Sequence, residues 1–131
     1  LGICVGMQLM ASKGFEGNAV SGLDWISGNV VPLKPELVAN FKIPHMGWNK
    51  IMLQNHNHPF SSQVADTSFY YFVHSYHFVP DNPEDCLAVT DYGETVTAMI
   101  AKENKIGTQF HPEKSQKAGL NLLSAFLNWY I

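Results

Sequence analysis

The chain has 131 residues, is 46% hydrophobic and 15% charged, and carries a formal net charge of -3. That length suits one domain spanning 1–131, and that composition excludes a disordered chain. The lysines are scattered, so no basic footprint marks nucleic acid or anionic membrane as a partner, and no apolar run approaches the length of a membrane span.

Leu1 to Met10 is apolar but has neither a basic leader nor a small-residue cleavage site. Cys4 and Cys86 stand at no metal-ligand spacing, which implies free thiols and a cytoplasmic setting. Leu1 is expected to end a buried strand whose earlier part lies outside the chain, making the sequence a fragment of a longer protein. Residues 2–6, Gly-Ile-Cys-Val-Gly, read as a tight turn feeding a short helix that Gly14 ends as a left-handed cap. Residues 15–22, rich in Gly, Asn and Ser, read as a loop. Val30, Val31 and Leu33 predict a strand that Pro32 and Pro35 place at a sheet edge.

Residues 48–53 alternate moderately and predict another strand, and the His-rich stretch 55–59 predicts a turn. Aromatic and β-branched residues dominate 69–79, which is expected to form one strand. Residues 86–90 and 95–101 predict two strands joined by a turn at 91–93, and 106–110 predicts a short strand running into His111-Pro112. After Gly119, the residues Leu120, Leu122, Leu123, Phe126, Leu127 and Tyr130 recur at helical spacing and predict a closing amphipathic helix. A turn, a helix, a run of strands and a final helix together predict an α/β sheet protein.

Gly2-x-Cys4-x-Gly6 has the form of a nucleophile elbow with Cys at its centre. A nucleophile on a sharp strand-to-helix turn sits in strained backbone, and glycines two residues either side remove Cβ atoms that would clash. The following helix directs its N-terminus at the thiol and should favour the thiolate. A glycine-rich turn around a buried Cys would look the same in isolation. The second element is Gln109-Phe110-His111-Pro112-Glu113. A thiol nucleophile needs a base, and the base needs a group to fix its tautomer. His111 and Glu113 at i, i+2 can supply both from one side of an extended segment. Together with the elbow they make a Cys-His-Glu triad the better explanation.

The remaining histidines invite plainer explanations. His56-x-His58 has a metal-like spacing, but no carboxylate or cysteine accompanies it, and no metal is expected. His45 is expected to be structural. His74 and His77 lie in the aromatic strand, one lining a pocket and the other facing solvent. Alternation through residues 69–72 should send some aromatic rings outward.

Three runs, Gly-Ile-Cys-Val-Gly-Met-Gln at 2–8, Tyr-Phe-Val-His-Ser-Tyr at 71–76 and Gln-Phe-His-Pro-Glu-Lys-Ser at 109–115, resemble the class I glutamine amidotransferase domain. Pro44-His45-Met46-Gly47-Trp48-Asn49 and the ending from Lys114 to Leu120 narrow the resemblance. They are similar to the branch of glutaminase subunits serving imidazole glycerol phosphate synthesis in the histidine pathway. The likeness covers essentially the whole chain, with the motifs in the family's order.

The resemblance implies a flavodoxin-like three-layer α/β sandwich with a mixed sheet, of which this chain lacks the first strands. It implies hydrolysis of L-glutamine to glutamate and ammonia, with Cys4 as nucleophile, His111 as base and acid, and Glu113 orienting His111. The Val5 backbone N–H would hold the oxyanion with a second donor from a loop preceding the elbow. Gly6, Gln8 and Glu16 would bind substrate, and His74, Ser75 and Tyr76 would close the pocket. No cofactor is implied. Ammonia would pass to a barrel-shaped cyclase/synthase partner across an interface containing Trp48, Tyr71 and Lys114. Residues 22–28, Gly-Leu-Asp-Trp-Ile-Ser-Gly, depart from the family's usual glycine and proline pattern there. Three other outcomes fit the same motifs: a paralogue feeding a sugar-amidating synthase of surface polysaccharides, a partner-independent γ-glutamyl cysteine hydrolase, and a binding module with a vestigial triad.

Overall fold

The strand-forming stretches after residue 68 dictate the architecture. In a computed structural model describing residues 1–35 and 40–130, a five-stranded mixed sheet runs in the order β1-β11-β10-β9-β6. Its members are β1 (Gly2–Ile3), β11 (Lys105–Thr108), β10 (Thr95–Lys102), β9 (Cys86–Asp91) and β6 (Met52–Leu53). β1 lies parallel to β11, and the other neighbours pair antiparallel. A second sheet orders as β3 (Val20–Ser21), β2 (Lys13–Gly14), β4 (Gly28–Pro32) and β8 (Tyr76–Pro80). β5 (His45–Lys50) and β7 (Phe69–His74) form a separate antiparallel ribbon.

The central sheet carries apolar cores on both faces. Along β10, Met99 and Ala101 enter a cluster with Phe60, Phe72, Phe110 and Leu122, whereas Ile100 points the other way into a cluster with Met7, Met10, Ile26 and Phe78. This is the period-2 alternation of a strand buried on both sides, and it explains why β10 reads as a nearly unbroken apolar run. The terminal helix α2 (Gln116–Leu127) closes the first core with Leu122. Among the described residues, no helix is long and apolar enough to cross a membrane.

Several boundaries differ from expectation for identifiable reasons. The helix after Cys4, α1, covers only Val5–Gln8, and Gly14 lies in β2 instead of capping it. The carbonyls a longer helix would use are taken by the loop at 23–26: Leu23 donates to Leu9, Asp24 to Ala11, and Trp25 and Ile26 both to Met10. β4 is flanked by β2 and β8 and so is not an edge strand, but β2 reaches only Asn29 and Val30. Pro32 therefore ends β4 beyond its reach, where a missing N–H costs little.

The stretch 48–53 divides between β5 and β6, with buried Ile51 between them. Residues 69–79 form two strands, since Ser75 breaks the run and sends β7 and β8 into different sheets. α2 begins at Gln116, before Gly119. The Cβ of any residue at 119 would lie 1.8 Å from the Pro112 carbonyl oxygen, so glycine is required there by close approach and does not mark the helix start. Leu120, Leu127 and Tyr130 of the expected apolar stripe are exposed, and so is Leu1.

Candidate active site

The parallel pairing of β1 with β11 sets Gly2 beside Gly107 and Ile3 beside Thr108, so both strands deliver their C-terminal ends to one place. The Cys4 N–H donates to the Thr108 carbonyl at 2.7 Å, and His111 follows three residues later. Cys4 itself has φ 51° and ψ -109° at the junction of β1 and α1. That is strained backbone for a non-glycine residue, held by the elements on either side. Of the two flanking glycines, only Gly2 is sterically required: a Cβ there would lie 2.6 Å from the Gly6 carbonyl oxygen, whereas one on Gly6 would meet no atom within 4 Å.

The Cys4 thiol is half-buried, and its Sγ lies 4.0 Å from the Val73 carbonyl and 3.8 Å from Gln109 Nε2. Burial pushes its pKa up and the Glu113 charge adds to this; the Val5 N–H, the Gln109 amide and the Lys114 charge pull the other way without reversing it. A four-residue helix has too little dipole to overcome desolvation, so the resting group is the thiol and not the expected thiolate.

His111 Nδ1 and Glu113 Oε1 are 2.5 Å apart, one side chain mostly buried and the other half-exposed. His111 is further fixed through its backbone: its N–H donates to the Tyr71 carbonyl, and Ser115 Oγ donates to its carbonyl at 2.6 Å. The same Ser115 hydroxyl accepts the Tyr71 N–H at 2.9 Å. β7 thus carries the carbonyls facing both candidate groups, at Tyr71 for His111 and Val73 for Cys4. These backbone acceptors have no signature in sequence, and Ser115 and Gln109 were visible there only as members of a motif.

A cleft of about 290 Å³ opens beside the elbow, lined by Val5, Gln8, Glu16 and Val20 among others. Gln8 Nε2 donates to the Tyr76 carbonyl and to Gln109 Oε1, both at 3.1 Å. Gly6, His74, Ser75 and Tyr76 are not among the lining residues; the Tyr76 carbonyl meets Gln8, and His74 reaches that same carbonyl. His74 and His77 are both buried, against the expectation that one faces solvent, because the break at Ser75 turns each inward on its own strand. His58 accepts the Phe60 N–H on Nδ1 and points Nε2 at the Glu103 carbonyl, and among the described residues no cluster of three metal-ligating groups exists.

Trp48 and Tyr71 face each other across the ribbon, their ring centroids 6.1 Å apart at 71°. Outward with them stand Met46 and Phe69, 61% and 56% exposed. Tyr70 and Phe72 alternate inward to the core. Lys114 is exposed on the 3-10 turn Pro112–Lys114, near enough for its charge to act on Cys4.

Comparison with known proteins gives a consistent picture. The family model for "Glutamine amidotransferase class-I" matches residues 1–128. Curated relatives named "Imidazole glycerol phosphate synthase subunit HisH" include one from Rhodospirillum rubrum, 52% identical, one from Ruegeria pomeroyi, 50% identical, and one from Cereibacter sphaeroides, 46% identical. Each alignment covers 98% of this chain and 60% of the relative, so the chain spans about 60% of the length of these proteins.

Proposed function

Because this chain belongs to the class I glutamine amidotransferases, we propose that residues 1–131 form the catalytic part of a glutaminase that releases ammonia from L-glutamine for imidazole glycerol phosphate synthesis. The observation that carries this reading is the strained Cys4 at the end of β1, with the hydrogen-bonded His111–Glu113 pair beginning three residues after the end of its parallel neighbour β11. The relatives' shared name supplies the pathway.

In the proposed reaction, His111 takes the Cys4 proton as Sγ attacks the γ-carboxamide carbon of glutamine. A base is needed because burial keeps the thiol protonated at rest. The Val5 N–H, which follows the nucleophile and favours negative charge on its sulfur, donates to the oxyanion. His111 then returns the proton to the departing nitrogen, giving ammonia and a γ-glutamyl thioester. Water attacks the thioester with His111 again as base, forming glutamate and restoring the thiol. Glu113 holds the proton of His111 on Nδ1, leaving Nε2 free to accept. Gln8 and Glu16 in the cleft receive the amino-acid end of the substrate. Two free cysteines accord with a cytoplasmic setting.

The outer face of the β5–β7 ribbon, with Trp48 and Tyr71, is the docking surface for a barrel-shaped synthase partner, and Lys114 flanks it. Exposed Trp48 and Phe69 beside half-buried Tyr71, backed by a packed inner face, are the composition expected of an interface centre. Glutamate release by the full-length protein, measured alone and with the liganded synthase, tests the proposal. Release that requires the partner and disappears in Cys4→Ala is the expected result; turnover indifferent to the partner would favour a free-standing hydrolase.

A further inference from the structure

Behind the cleft lies a polar chain that the chemistry above does not use. His45 on β5 and His74 on β7 face each other across the ribbon, with His45 Nδ1 and His74 Nε2 2.8 Å apart. His74 Nδ1 lies 2.8 Å from the Tyr76 carbonyl, and that carbonyl also accepts Gln8 Nε2. At the other end, His45 Nε2 faces Asn49 Nδ2 at 3.3 Å. The Asn49 amide orientation is fixed independently, since its Nδ2 donates to the Asp91 carbonyl and its Oδ1 accepts the Lys50 N–H.

One proton assignment satisfies every atom. A carbonyl only accepts, so His74 donates from Nδ1 to Tyr76. Its Nε2 then accepts from His45 Nδ1–H, and His45 Nε2 accepts from Asn49. Adding a proton to either ring would set N–H against N–H or against the Asn49 amide. The two imidazoles are 2% and 5% exposed, and burial lowers the pKa of each to about 4, so both remain neutral near neutral pH. His45 is also stacked between Phe72 and Tyr92, at centroid distances of 4.7 and 4.0 Å.

We propose that His45 and His74 are positioning residues for glutamine: each holding its proton on Nδ1, they fix the Tyr76 carbonyl and, through it, the Gln8 side chain in the cleft wall. Gln8 passes the order on, because its second N–H fixes Gln109, whose own amide lies on the Cys4 sulfur. The chain begins on the inner side of the same ribbon whose outer side carries Trp48 and Tyr71, so docking and cleft share one rigid support. The substrate role rests on the glutaminase reading; the tautomers do not.

Two readouts test it on the full-length protein with its synthase partner. Long-range proton–nitrogen NMR of the ring nitrogens at neutral pH should find Nδ1–H at both histidines. Glutamine kinetics should then separate two variants. His45→Phe keeps the stack but loses both ring hydrogen bonds, and should raise KM about tenfold while the melting temperature falls by only several degrees, the cost of leaving His74 Nε2 without its donor. His45→Asn loses the stack but keeps a donor where Nδ1 stood, and should restore KM toward the parent value despite melting lower. An Nε2–H tautomer at either ring, or His45→Phe kinetics within about twofold of the parent, would overturn the proposal. Variants whose activity merely follows their melting temperatures would overturn it too. Absence of turnover in the parent would instead refute the glutaminase reading and the substrate role with it, leaving the NMR to judge the hydrogen-bond chain.

Discussion

Replacing Gly2 with alanine should be far more damaging than the same change at Gly6, although the motif treats the two alike. A methyl group on residue 2 would stand 2.6 and 2.7 Å from the carbonyl oxygen and carbon of Gly6, and 2.8 Å from the Met10 methyl. Met10 is a flexible side chain that can move aside. The Gly6 carbonyl is backbone in the turn that carries Cys4, so relief must displace the elbow. Overpacking of this kind costs about 1–3 kcal/mol, which for a domain of this size lowers the melting temperature on the order of 5–10 °C. Displacement of the nucleophile by about 1 Å would separately reduce kcat on the order of 100-fold.

Gly6→Ala meets no atom within 4 Å and lies inside α1. It should keep or slightly raise the melting temperature, because alanine favours the helix by up to ~1 kcal/mol. Thermal unfolding of both variants, with glutamate release measured for Gly2→Ala, decides the matter. A Gly6→Ala protein melting as low as Gly2→Ala would refute the steric argument, as would a Gly2→Ala protein with parental stability and turnover.

Glu113→Gln removes the charge 2.5 Å from His111 Nδ1 and should lower kcat by ~100- to 10,000-fold with little loss of stability, as steady-state kinetics and a melt would show. Trp48→Ala, on a residue 48% exposed, should leave the melt unchanged and weaken synthase binding on the order of 10- to 100-fold by titration calorimetry. Stability should fall in acid because of His45 and His74. Their folded pKa values near 4 lie below the ordinary 6.5, so the unfolded chain binds more protons between those values. Their contribution is full above pH 6.5 and is lost as pH falls through about 4. Melting temperatures across pH 4–7 should slope less in His45→Phe than in the parent.

The strands and the elbow were legible because local chemistry dictates them. β9 and β10 follow β-branched runs broken by Asp91-Tyr92-Gly93, and the turn at Cys4 follows from glycine spacing. Tertiary hydrogen bonding decided what was not legible. α1 stops at Gln8 because a loop more than ten residues later takes the carbonyls of Leu9, Met10 and Ala11. β7 and β8 look like one strand, and only the partition of their neighbours between two sheets reveals the break at Ser75. The reactive residue types could be named from sequence. The state of the thiol could not, because it depends on burial and on Gln109, Glu113 and Lys114 arriving from over a hundred residues away. The His45–His74 pair was invisible for the same reason: their apposition is a matter of ribbon register, 29 positions apart.

The claim that Cys4 is the nucleophile toward glutamine is tested most directly by trapping it with a glutamine-shaped electrophile, such as a diazoketone analogue, and mapping the adduct by mass spectrometry. With the synthase bound, a single adduct on Cys4 that excess glutamine prevents and Cys4→Ala abolishes is the predicted result. Labelling shared equally with Cys86, or labelling of Cys4 that glutamine does not slow, would contradict it.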